Sequence, residues 1–156
     1  MAQKKPLVLT NGKIEQLQSG DYISEVNLPS ATNANAGTLS AGMVVYITTA
    51  GGSIDKAKAD ASGTMDAEGF VVADIASSAS GSYQDSGNLT LSTSVWDAVT
   101  GQTGGLTAGS DYYVSSATAG KITTTPPSTT GQFVQPVGTA VSTTEMKIHI
   151  QASIKL

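Results

Sequence analysis

The chain has no cysteine and no arginine, and its 156 residues include one histidine, one tryptophan and two phenylalanines. Each absence closes off a class of chemistry. Without cysteine there is no disulfide framework, no thiolate nucleophile and no Cys-based metal site. Without arginine, bidentate recognition of phosphates and base edges loses its usual residue. Eight lysines against twelve acids leave a net charge of -4, which offers no basic footprint for a polyanion, so no nucleic-acid partner is expected. No apolar run approaches the roughly 20 residues of a membrane span. The opening "MAQKKPLVLTNGK" carries only the short apolar run Leu7 to Leu9, too little for a signal-peptide core. The expectation is a soluble chain with no membrane partner.

Catalytic groupings are equally sparse. His149 is the sole histidine, it falls on the polar face of the last strand and no Gly-x-Ser-x-Gly elbow accompanies it, so a surface histidine is expected rather than a catalytic one. The acid pairs Asp66 with Glu68 and Asp55 with Asp60 have the residue type a glycosidase needs. The loops carrying them lack the aromatics that grip a sugar. "DASGTMDAE" at 60–68 is rich in oxygen donors for a hard cation but departs from EF-hand spacing, since Asp60 is followed by Ala61, Ser62, Gly63 and Thr64. No phosphate-cradling glycine loop is present, and "NLT" at Asn88 reads as strand sequence. The expectation is a non-enzymatic protein with no cofactor and no metal.

What the chain has in quantity is hydroxyl and glycine. Ser and Thr supply 39 residues and Gly 17, while only 13% of the chain is charged. Thr favours strands and Gly supplies positive φ at turns, so the composition predicts β-sheet with many reversals. Within it one phrase is written twice, "LSAGMVVYIT" at 39–48 and "LTAGSDYYVS" at 106–115. Gly42 and Gly109 suit the tight geometry that turns the chain into a strand, and the Leu before each anchors that turn. The Ser or Thr can bond back to local backbone. The phrase specifies scaffold and contains no nucleophile, acid-base pair or ligand set.

Around these copies the chain divides into an extended amino-terminal arm and linker over 1–36 and a β-domain over 37–156, with approximate repeats at 37–86 and 104–150. Asn11-Gly12 is a hairpin turn signal; Lys13 to Gln18 is either its return strand or a single helical turn. Positions 21–37 read as a linker or long loop. Met43 to Ile47 has β-formers on both faces, which predicts a strand buried on both sides or at an interface. "GFVVADIA" at 69–76 reads as a strand, and "FVQPVGTAVS" at 133–142 as its loose parallel. In "MKIHIQASIKL", Ile148, Ile150, Ala152, Ile154 and Leu156 share one face, predicting a half-buried closing strand. Trp96 and Tyr112 are expected in the core, Tyr46 and Tyr113 at a contact surface. The substitution of Met43-Val44 by Ser110-Asp111 makes the second copy the more exposed. A sandwich or barrel buries both faces of such strands better than an open sheet.

The residues from Thr103 to Ile150, with Gly105, Leu106, Gly109, Tyr112, Tyr113, Val114, Ser115, Gly120, Ile122, Gly131, Pro136, Val137, Gly138 and Ala140 as matched positions, resemble a β-domain that recurs in tailed-bacteriophage virion proteins. That family includes capsid decoration, head-fibre and some tail-fibre proteins. The opening "KPLVLTNGKIEQLQSGD" is similar to the segment that begins many such proteins. Together these cover about half of the chain. The resemblance implies a structural protein of the capsid exterior, a cement protein made in the host cytoplasm and assembled as a homotrimer on the major capsid protein. Its alternative is a tail-fibre module contacting the host surface. Expected contact residues are Lys4, Lys5, Leu7, Val8, Leu9, Ile14 and Leu17 of the arm, with Val44, Tyr46 and Tyr113 of the body.

Overall fold

In the computed structural model the described residues are 28–49 and 51–156, together with the backbone of two amino-terminal strands. Those strands, β1 (Leu7–Thr10) and β2 (Lys13–Gln16), pair antiparallel from Leu7 opposite Gln16 to Thr10 opposite Lys13. The segment after Asn11-Gly12 is thus a return strand. Of the expected linker, Ser30–Asn33 is a strand, β3, because Ala31 and Asn33 bury one side of it. The arm expected over 1–36 therefore ends before Ser30.

The first copy of the repeated phrase turns at Gly42, φ 80°, into β4 (Val44–Ile47). After it come β5 (Ser53–Lys56), β6 (Ala67–Val71) and β7 (Ser80–Gln84). The order β3-β5-β4-β6-β7 closes into a barrel, with β3 parallel to β5 and antiparallel to β7. Its interior holds Ala31, Leu39, Val45, Ile54, Val71, Ile75 and Tyr83. The strand expected to run from Gly69 to Ala76 stops at Val71; Ile75 returns as an isolated bridge to Leu39.

The second half begins with β8 (Ser86–Thr90) and then a helix, α1 (Thr93–Thr100). Ser92 caps its start, accepting from the Val95 N–H, and Gly101 at φ 72° closes its end, the arrangement that satisfies the orphan groups of a short helix. The second copy of the phrase follows as β9 (Asp111–Val114), then β10 (Ile122–Thr123), β11 (Phe133–Val134), β12 (Pro136–Ala140), β13 (Glu145–His149) and β14 (Ile154–Lys155). Five of these strands form an open sheet, β10-β9-β12-β13-β8, and β11 pairs with β14. The described chain is thus nearly all β, with one barrel and an open sheet carrying one copy each.

The copies share their backbone bonding. In the first, Gly42 N–H donates to Val71 O and Val71 N–H to Met43 O; in the second, Gly109 N–H donates to Ala140 O and Ala140 N–H to Ser110 O. Each pairing is then interrupted by a register shift, between Val45 and Tyr46 in one copy and between Pro136 and Gly138 in the other. Val45 opposes Gly69 where Tyr112 opposes Gly138. The equivalent of Gly69 is therefore Gly138, which corrects the looser parallel of "GFVVADIAS" with "FVQPVGTAVS"; Phe133 has no counterpart in Phe70.

The two halves join through one large core. Val44, Ala57, Ala67 and Phe70 of the first half pack with Trp96, Val99, Tyr112, Met146 and others of the second. Val44 and Val45, adjacent in β4, are both fully buried but in different clusters, so the start of β4 is covered on both sides, whereas Ile47 at its end is 46% exposed, which limits the two-sided burial expected over Met43 to Ile47. Its counterpart β9 has Asp111 exposed and alternates normally. Phe70 and Trp96 meet edge to face, centroids 6.2 Å apart at 74°, a geometry that adds about 0.5–1.5 kcal/mol beyond area burial. Trp96 and Tyr112 are fully buried.

Candidate interaction surface

Among the described residues, no three His, Asp or Glu side chains gather into a metal-binding group. Asp60 instead pairs with Lys58 at 2.5 Å, and Asp66 accepts from Ser153 Oγ at 3.0 Å. His149 lies half-buried at the end of β13, its Nδ1 3.3 Å from Lys147 O. Asp60 and Asp66 are thus engaged by side chains of the fold. Asp55 accepts from Asn35 Nδ2 at 2.8 Å, and Asp97 accepts from the Gly104 and Gly105 N–H groups.

The expected contact residues fall in three environments. Val44 is buried in the chain's own core, where β4 meets the second half, and has no surface to offer; its apolar character comes from joining the halves. Tyr46 is half-buried against that core and opposite Asp55. Its hydroxyl is held above the ordinary value of 10.0 by burial first and by the Asp55 charge second. Tyr113 is half-buried on β9, opposite Thr123 of β10 and Pro136 of β12. Leu7, Val8, Leu9 and Ile14 lie in β1 and β2, which pair only with each other among the described strands. Lys4, Lys5 and Leu17 lie outside the described residues.

The carboxy terminus departs most from expectation. The strand read through Leu156 ends at His149. Met146 and Ile148 are buried, but Ile154 is 64% and Leu156 42% exposed. The cause is Gln135, itself buried, whose Nε2 donates to Gln151 O at 3.1 Å, while Gln151 N–H donates to Pro136 O. These bonds draw the chain off β13 and across to β11, where Ile154 opposes Val134. The same Gln135 accepts from Ala67 N–H at 2.9 Å through Oε1. One amide thereby bonds β6 of the barrel to the end of the chain, a role no local pattern signals.

Beside β11 lies a groove of about 300 Å³ lined by Ser115, Thr123, Thr125, Pro126, Pro127 and Gln132, among others. No ionisable side chain lines it. Ser115 Oγ already accepts from Ala117 and Thr118 N–H, and Thr123 Oγ1 from Thr125 N–H. The groove therefore offers shape and weakly committed hydroxyls, with no acid-base pair. No family model matches the chain, and no curated protein matches it.

Proposed function

We propose that the protein is a non-enzymatic component of a tailed-phage virion that decorates the capsid exterior as a homotrimer, with the major capsid protein as its partner. The observation that carries this reading is the position of the virion-like residues. Gly109, Tyr112, Gly120 and Gly138 lie at the turns, the buried strand and the bulge of the second unit, so the resemblance falls on residues that build the scaffold. A charge-poor β-body accompanied by a separate amino-terminal hairpin suits a protein that adds to a preassembled shell. Strand addition by the arm gives main-chain bonds to a neighbour without a basic patch. The hydroxyl-lined groove favours the second reading, a tail-fibre module that takes a host-surface glycan.

Removal of residues 1–18 should abolish or strongly reduce addition to expanded capsids while the body keeps its near-ultraviolet circular dichroism. Full capsid occupancy by the truncated chain would refute the role given to the arm. Label on the tail of purified virions, or glycan binding lost on replacing groove residues, would favour the fibre reading.

A further inference from the structure

Two β elements stand apart from the barrel and the five-stranded sheet. The first is the β11–β14 pair. Its register sets Val134 opposite Ile154, so Gln132, Val134, Ile154 and Leu156 share the outer face while Phe133 points to the core. Ile154 and Leu156 are among the few large apolar side chains exposed in the described residues. The hydroxyl-lined groove, which has no ionisable lining residue, adjoins this face through Gln132, and the exposed Lys155 occupies the alternate position between Ile154 and Leu156.

The second element is the β1–β2 hairpin. Its register sets position 9 opposite 14 and position 7 opposite 16, so Leu7, Leu9 and Ile14 occupy positions on one face. A two-stranded hairpin alone is marginal in water and needs another strand or a packing surface. The two parts of the chain also differ in the sign of their net charge. To the end of the hairpin, residues 1–16 carry Lys4, Lys5 and Lys13 against one acid, Glu15, whereas residues 28–156 carry nine acids against five lysines, one of which is Lys155 of β14 itself. Asp66, bonded to Ser153 just before β14, stands at the border of the exposed face.

We propose that the β1–β2 hairpin of one copy docks on the outer face of β11–β14 of a second copy. Within one chain the hairpin and this pair form separate sheets. A contact between two different surfaces is heterologous, and a rotation that closes makes a ring. The proposal rests on the self-association in the decoration reading and names the contact that produces it. It also gives Ile154 and Leu156 a reason to stand in water in the single chain.

Because the chain has no native cysteine, the contact can be tested by mixing two full-length single variants, Leu9→Cys and Ile154→Cys, under mild oxidation. A disulfide between the two variant chains is expected, at several-fold higher yield than in a mixture of Leu9→Cys with Ser62→Cys, which lies in an exposed loop. Equal yields in the two mixtures would overturn the proposal. So would a doubly substituted chain that forms only an intrachain bond. As an independent measurement, the Ile154→Ser, Leu156→Ser variant should sediment as a monomer with unchanged Trp96 fluorescence; an unchanged oligomer mass would overturn the contact. Neither experiment uses capsids. Interchain crosslinking by a protein that fails to bind capsids would remove the decoration reading and leave the contact, and capsid binding without crosslinking would do the reverse.

Discussion

Gly69 and Gly138 hold the same place in the two halves, and neither has room for a side chain. A Cβ at Gly69 would lie 2.6 Å from Tyr83 Cδ2 and 2.7 Å from Gln84 O; one at Gly138 would lie 2.7 Å from Lys147 O. Backbone oxygens cannot step aside as a flexible side chain would. Gly69→Ala and Gly138→Ala should each cost about 1–3 kcal/mol in chemical denaturation, while Gly63→Ala, in open space, should change stability by about 0.5 kcal/mol or less. Two tyrosines make a second residue-scale prediction. Tyr46 and Tyr83 are both raised, chiefly by burial, with Asp55 adding to the first and Glu68 and Asp85 to the second. Their stabilising contribution is complete below the unfolded value of 10.0. Above it the unfolded state releases protons that the folded state retains, so stability falls as pH rises toward the folded values. Urea titrations through the alkaline range should show that fall, and Tyr46→Phe with Tyr83→Phe should flatten it. The repeated glycine of the turn was legible in sequence because its neighbours repeat with it. The bulge glycine was not, because Gly69 and Gly138 have different neighbours and become equivalent only through pairing.

At the scale of elements, α1 distinguishes the halves. The barrel closes through β3, whereas the second unit keeps β8 and β10 as the edges of its sheet, and the helix contributes Trp96 and Val99 to the filling between the halves. Trp96 also donates Nε1–H to Thr144 O at 2.9 Å. Trp96→Leu should therefore lose a hydrogen bond and the aromatic contact with Phe70, and Ser92→Ala should cost about 1 kcal/mol through the cap alone. Thermal unfolding of both variants measures the difference, with the tryptophan change the larger. The strand at Val44–Ile47 was legible because β-formers and a turn glycine agree there. The helix was hidden because Val95, Val99 and two threonines have β propensity, and the alternation of Leu89 and Leu91 points onward into a strand; the signals that mark it are the Ser cap and Gly101. The carboxy-terminal strand fails for the opposite reason. Its alternation is perfect, but tertiary bonds from Gln135 and Pro136 divert it, and period alone carries no information about a distant amide.

For the molecule as a whole, the shared core predicts one unfolding event. Val44, Ala67 and Phe70 belong to the barrel strands yet pack with the second sheet, so neither half retains a dry outer face if the other melts. Calorimetric and van't Hoff enthalpies should agree for the isolated chain in its lowest association state. Gln135→Ala should lower the single transition by about 1–3 kcal/mol, since Ala67 N–H is left buried without its acceptor, and should not split it in two. The all-β class was legible from composition and the duplicated phrase. The division into a closed barrel and an open sheet was not, since closure depends on β3, a segment of small and polar residues that lacks an apolar alternation.

Gly42 carries a consequence for synthesis of the chain. A Cβ there would stand 3.2 Å from Val95 and 3.4 Å from Leu91 and Val99, so the turn that launches β4 is also the seat on which α1 rests. A ribosome delivers the turn more than fifty residues before the helix. During that interval the barrel strands can pair, but the flank bearing Val44 and Phe70 faces solvent until Val99 emerges, a transient sticky surface of the kind that recruits chaperones or drives aggregation. Slow translation across residues 86–100 would prolong that exposure, and fast translation would shorten it.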